Sequence, residues 1–211
     1  MAPASTPPLQ TLLPGLEDGA ASSWCQRWSA GQCSWRHLAE GGFDQSRYLV
    51  RRIRDGVAAA FIRQHHYSGQ PVAALQSYGL IDRRGDRLVG VAVLSVPVNR
   101  AVLTATFPTL EPYRQSVDLG RLVLEDNVAA NGESFMLARV FRQAHQTGIR
   151  GVVSFADPVP RRTLAGDLVL RGHVGACYQA LGNCLYTGRG TARTLLLLPD
   201  GTALHDRALQ K

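Results

Sequence analysis

The side chains with the clearest chemical potential in this 211-residue chain lie between residues 152 and 188, in the run VVSFADPVPRRTLAGDLVLRGHVGACYQALGNCLYTG. Residues 152–156 read as a short buried strand, Asp157 stands where that strand ends, and Pro158 and Pro160 stop it. Gly172 precedes a short helical pattern over 173–181, which Gly182 terminates from just past the C-cap, and a further strand is expected over 184–187. Ligands of α/β folds collect at the carboxyl ends of strands and at helix N-termini. Asp157 and His173 therefore occupy places where chemistry is done, with Tyr178 on the helix that follows. A carboxylate, an imidazole and a phenol are side chains that exchange protons in catalysis. Each also has a purely structural reading: Asp157 caps a turn, His173 caps a helix and Tyr178 fills the core.

The elements that must position these groups follow from pattern. Residues 1–22 are rich in Pro, Ala and Ser and are expected to be disordered. Residues 23–54 form an aromatic and Arg-rich arm, 55–200 the catalytic domain and 201–211 a polar tail. Within the domain a helix starts at Asp55 and gives way to His65, His66 and Tyr67. Two β-rich runs, 73–81 and 88–96, flank a turn at Arg84, Gly85 and Asp86, the signature of a hairpin. A strand is expected over 102–106 and another over 117–124. A helix then begins at Gly132, its apolar stripe running through Phe135, Met136, Leu137, Val140, Phe141 and Ala144, and stops at Gly148. A last strand covers 194–198. The fold class is α+β (α/β), a mixed and mainly antiparallel sheet flanked by helices, in the layout of a GNAT-type acyltransferase. In that layout the loop before the central helix offers backbone N–H groups to the pyrophosphate of acetyl-CoA or a related acyl-CoA. Here that places the cofactor at Asn131, Gly132, Glu133 and Ser134, although Gly132 stands alone where the layout usually carries two spaced glycines.

Composition narrows the partners. Of 23 basic residues only Lys211 is a lysine, and the net charge is +7. Arginine binds phosphate bidentately and stacks on bases, which suits a polyanion, although a GC-rich genome would produce the same bias on an ordinary solvated surface. The local clusters Arg51/Arg52/Arg54 and Arg161/Arg162, with Trp35 in the arm, are the candidate nucleic-acid contacts. Cys25, Cys33, Cys177 and Cys184 form no CxxC pair and are expected to be reduced thiols. No apolar run approaches a membrane span and the first residues do not resemble a secretion signal, so a cytoplasmic protein is expected, with no membrane partner and a homodimer as a possible assembly.

Four segments in order, HHYSG, LGRLVLEDNVAANGES, VVSFADP and GHVGACYQALGNCLYTG, resemble Mom-like DNA modification proteins over residues 60–190. That resemblance implies a GNAT-like enzyme that converts adenine in double-stranded DNA to N6-carbamoylmethyladenine and shields it from restriction. By motif, His66 and Tyr67 match a His-Tyr pair linked to iron, Arg121 matches the basic residue of the LxRL strand, and Asp157 and Tyr178 match the strand-end Asp and the Tyr of YQA. Arg121 thus joins Asp157, His173 and Tyr178 as a catalytic candidate, while His66, Tyr67, Asp157 and Tyr178 become a candidate iron set. The segment PRRTLAGDLVLR is an insertion between ADP and GHVG. Two other classes of function fit the residues. A GNAT acetyltransferase acting on a small amine or protein would turn over acetyl-CoA without DNA. A non-catalytic DNA-binding protein would need no more than the arginine clusters.

Overall fold

The computed structural model describes residues 24–29, 32–170, 172–173, 175–188, 190, 195–199 and 203–205. The sequence-expected segment 1–22 and most of the tail lie outside these residues. The chain opens with an antiparallel hairpin, β1 (Trp24–Ser29) and β2 (Gln32–His37). Strand β3 (Tyr48–Arg52) then leads into helix α1 (Asp55–His65), strands β4 (Ala74–Asp82) and β5 (Arg87–Ser95), and a short helix α2 (Ala101–Thr106). Strand β6 (Ser116–Leu124), helix α3 (Gly132–Gln146) and strand β7 (Gly151–Val153) complete the main sheet. After it come β8 (Arg161–Arg162), β9 (Leu168–Leu170), the single-turn helix α4 (Ala176–Gln179), β10 (Leu195–Leu197) and β11 (Ala203–His205).

The main sheet is five-stranded and its order follows the chain, β3-β4-β5-β6-β7. The first three pairings are antiparallel and the last, across α3, is parallel, so the fold is α+β with a mainly antiparallel sheet, as the pattern predicts. Strands buried on both faces read as continuous apolar runs, and β5 obeys this, with Val89 through Ser95 all buried. One face takes α3, whose Phe135, Met136, Leu137, Val140 and Ala144 pack with Tyr78, Leu80, Leu94 and Leu119. The other takes α1, through Ala58, Phe61 and Ile62 against Val91, Val93 and Val123.

Several local expectations are corrected. Residues 101–106 form α2 and not a strand: Asn99 Oδ1 accepts the Ala101 N–H at 2.9 Å in the turn that leads into the helix, which forms despite the β-branched Val102 and Thr104. The segment 184–187 forms no strand, with Leu185 and Tyr186 well exposed. The expected helix over 173–181 contracts to α4 because Gly175, at φ +74°, turns the chain immediately before it. Within the expected arm, β3 pairs along its whole length with β4.

One irregularity governs the rest. Between β5 and β6 the register runs Ser95 to Asp118, Leu94 to Leu119 and then Val93 to Arg121, leaving Gly120 as an extra residue. Side chains alternate faces along a strand, so Asp118 and Arg121, three apart, would otherwise point to opposite faces. The bulge sets both on the face of Ser95 and Val93, the α1 side. A Cβ on Gly120 would lie 2.2 Å from Ser95 Oγ, so only glycine fits without displacement. Gly120→Ala is expected to destabilise the protein by about 1–3 kcal/mol, measured by urea denaturation, and Ser95→Ala in the same chain should restore most of the loss.

Candidate functional site

Strands β6 and β7 run together for three residue pairs, Ser116–Gly151, Val117–Val152 and Asp118–Val153. Beyond Asp118 they part. The chain leaving β7 passes Asp157 and Pro158, and after the β8–β9 excursion returns at Gly172 and His173, so that α4 packs Cys177, Tyr178 and Leu181 against the α3-side core.

Asp118 stands at this parting. Its Oδ1 is buried, as is Ser95 Oγ directly across the sheet, and neither has a well-formed hydrogen bond among the described residues. Burial pushes the Asp118 carboxyl up to about 6, with Arg121 and Ser95 offsetting only part of the effect. Arg121 is pinned by backbone: its Nε donates to Gln70 O at 3.0 Å and its Nη1 to Gly120 O at 2.6 Å. Burial lowers its pKa while Tyr67 and Asp118 act in the opposite sense, which places its charge in the field of both. Tyr67 lies against His66, ring centroids 4.3 Å apart, and His66 Nδ1 accepts the Ser68 N–H at 3.1 Å.

Tyr178 closes the cluster from the α4 side. Burial pushes its phenol far up, and Cys177, Asp118 and Tyr67 push the same way, so the hydroxyl keeps its proton. Its ring meets His173 edge-on, with centroids 6.3 Å apart at 73°. Burial lowers the His173 pKa against the pull of Asp157, leaving a neutral imidazole at physiological pH. The His173 N–H donates to Asp157 O at 2.8 Å, while Asp157 Oδ1 accepts the Val159 N–H at 3.3 Å, the bond of a turn. Gly172, at φ +87°, allows this approach, because a Cβ there would lie 2.5 Å from Pro158 O.

His66, Tyr67, Arg121, Asp157, His173 and Tyr178, drawn from four separate segments, are thus linked in one region. Asp118 and Ser95 were not anticipated. The signal available for Asp118 was an acidic residue inside an apolar strand, two residues before a glycine that marks a bulge.

The residues expected to hold acyl-CoA are arranged differently. Arg27, from β1, is fully buried at the start of α3, donating from Nε to Val128 O at 2.9 Å and from Nη2 to Ala129 O at 2.7 Å, and pairing with the Glu133 carboxylate. Arg36, from β2, adds a bond from Nε to Asp126 O at 2.9 Å. Gly132 is packed so closely that a Cβ would lie 2.6 Å from Val128 Cγ1, Ser134 Oγ donates to Asn131 O, and Asn131, at φ +71°, makes no side-chain cap. A pyrophosphate needs open N–H groups and a positive environment. A buried carboxylate and an arginine aimed at carbonyls provide neither, so these four residues do not fit the cofactor.

The candidate iron set fits no better. Among the described residues no three His, Cys, Asp or Glu side chains converge to hold a metal. Of the set, Tyr178 is packed against the α3-side core and Asp157 Oδ1 is turned to a backbone N–H.

The arginine clusters divide. Arg51, Arg52 and Arg54 belong to β3 and its exit, at the sheet edge opposite β7 and about 19 Å away across four strand spacings. Arg51 pairs with Asp86 at 3.5 Å, and the Arg52 guanidinium lies over the Tyr78 ring. Arg162 donates from Nη1 to Gly166 O at 2.9 Å in the β8–β9 hairpin that follows Asp157. The side chains of Trp35 and Arg161 lie outside the described residues.

The fold and this cluster define an α+β protein whose polar groups gather where two parallel strands part. The chain belongs to the Mom protein family, whose model matches residues 47–211, a span that includes the whole cluster. None of the curated proteins matches it. Family membership supports a DNA modification protein. Among the described residues no helix is long and apolar enough to cross a membrane.

Asp118 also yields a stability test. Its pKa is raised in the fold, so the native state holds a proton that the unfolded chain gives up near pH 4, and stability falls as pH rises from about 4 to 6. Asp118→Asn, which does not titrate, escapes this loss. The variant is expected to exceed the parent by about 1–2 kcal/mol at pH 8, after discounting for the part of Asp118 still in water, and to match it near pH 4. Thermal unfolding at the two pH values measures both.

Proposed function

We propose that this protein is a DNA-modifying transferase on a GNAT-like core that converts adenine in double-stranded DNA to N6-carbamoylmethyladenine and so protects that DNA from restriction. The observation that carries this reading is the meeting of Tyr67, Asp118, Arg121, His173 and Tyr178 where β6 and β7 part, inside the span that matches the Mom family. The order strand, helix, three antiparallel strands, helix and parallel strand supports the GNAT-like description, with the catalytic unit starting at β3.

The exocyclic amine of adenine is a poor nucleophile, since its lone pair is delocalised into the ring. It is also unreachable inside a duplex, so the base must be flipped out. A neutral phenol and a neutral imidazole at the parting of the strands suit a flipped base: Tyr178 can donate a hydrogen bond or stack, and His173 fixes its edge. Arg162, exposed on the hairpin that follows Asp157, would supply a phosphate contact on this side of the sheet, and the β3 arginines would supply contacts only along the far edge. Acyl-CoA or iron, if bound, would supply the activated group or a Lewis acid. No step is assigned to either, because the residues expected to hold them do not fit. DNA from cells expressing the protein, digested to nucleosides, is expected to contain an adenosine heavier by a carbamoylmethyl group in mass spectrometry. An unchanged nucleoside profile from soluble, folded protein sinks the proposal.

A further inference from the structure

Within that proposed function, which this inference deepens and rests on, one group in the cluster lacks a structural occupation. Asp157 shapes a turn and carries His173; Arg121 is anchored to two carbonyls; Tyr178 is packed. Asp118 differs from all three. It is set on the α1 face by the Gly120 bulge, at the last residue pair before β7 leaves β6, with a buried Oδ1 that lacks a well-formed hydrogen bond and has the Ser95 hydroxyl as its neighbour across the sheet. An unsatisfied buried polar atom costs stability, and a catalytic role, in which its partner arrives with the substrate, is one reason for a fold to retain it.

We propose that Asp118 is the general base of this site, receiving the N6 proton of the flipped adenine, and that Asp157 is a positioning residue acting through His173. The reaction partner is by class an activated carbamoylmethyl donor, X–CH2–CONH2. The N6 lone pair forms the new N–C bond to the CH2 carbon, the C–X bond breaks with its electron pair leaving on X, and the proton lost from N6 passes to the Asp118 carboxylate and then to solvent. The products are N6-carbamoylmethyladenine and HX, with no oxidant or reductant required. The groups facing Asp118 are Arg121 on its own strand, Ser95 on β5 and Tyr178 on α4, while Tyr67, after α1, faces Arg121 and Tyr178. The carboxyl titrates near 6, so at neutral pH it is mostly ionised while remaining a stronger base than an exposed aspartate. Ser95 and the Gly120 bulge hold it at the opening without neutralising it.

The test expresses the full chain, Asp118→Asn, Asp118→Ser and Asp157→Asn in cells and quantifies modified adenosine in total DNA by mass spectrometry, normalised to soluble protein. Both Asp118 variants are expected to lose at least about 100-fold of the modification, as removal of a general base does, while Asp157→Asn loses less than either. Salt-dependent DNA affinity should be the same for Asp118→Asn and the parent. Modified adenosine within tenfold of the parent in either soluble Asp118 variant overturns the assignment and leaves the proposed function standing. A parent that makes no modified adenosine overturns the proposed function and this assignment with it.

Discussion

The constraint on which the rest depends is the single extra residue in β6. A strand offers its side chains to alternate faces, and a carboxylate and a guanidinium three positions apart cannot share one without a break in register. Gly120 provides that break, and the absence of its side chain leaves the volume that Ser95 Oγ fills. From this follow the placement of Arg121 beside the Gln70 carbonyl, its reach toward Tyr67 at the end of α1, and the isolation of Asp118 at the edge of β7.

The second determinant is low polarity. Four ionisable groups meet at the parting of the strands, and burial opposes charge on each: Asp118 rises, Tyr178 rises, His173 falls and Arg121 falls. Tyrosine and histidine respond by being neutral. Arginine keeps its proton because its intrinsic affinity for it is so high. Asp118, raised to about 6, changes charge just below neutrality.

Much of this was legible in the sequence, and the pieces that were not share a cause. Helix α3 and the β4–β5 hairpin are strongly periodic and local, and they lie within a residue or so of their expected bounds. The polar set from His66 to Tyr178 could be named from motifs, but sequence offers no distance, and only the order of five strands shows that Tyr67 and Tyr178 approach one region from opposite faces. Asp118 escaped notice because it sits in an element whose neighbours all announce core. Its position at the parting depends on where β7 stops, at Val153, in a stretch that reads as a strand to residue 156. The region from 184 to 187 misled in the other sense, since β-prone residues have no strand to pair with there.

The pairing of Arg27 with Glu133 separates two ideas of where this protein begins. The family match starts at residue 47, yet an arginine twenty positions earlier is buried against the first turn of the central helix and neutralises a carboxylate within it. A chain cut at the homology limit would strand that carboxylate in an apolar setting, and the helix it opens carries the core face of the whole sheet. The folded unit therefore extends ahead of the span that the family model matches. Its leading hairpin is part of the folded core, because Arg27 and Glu133 are buried against each other.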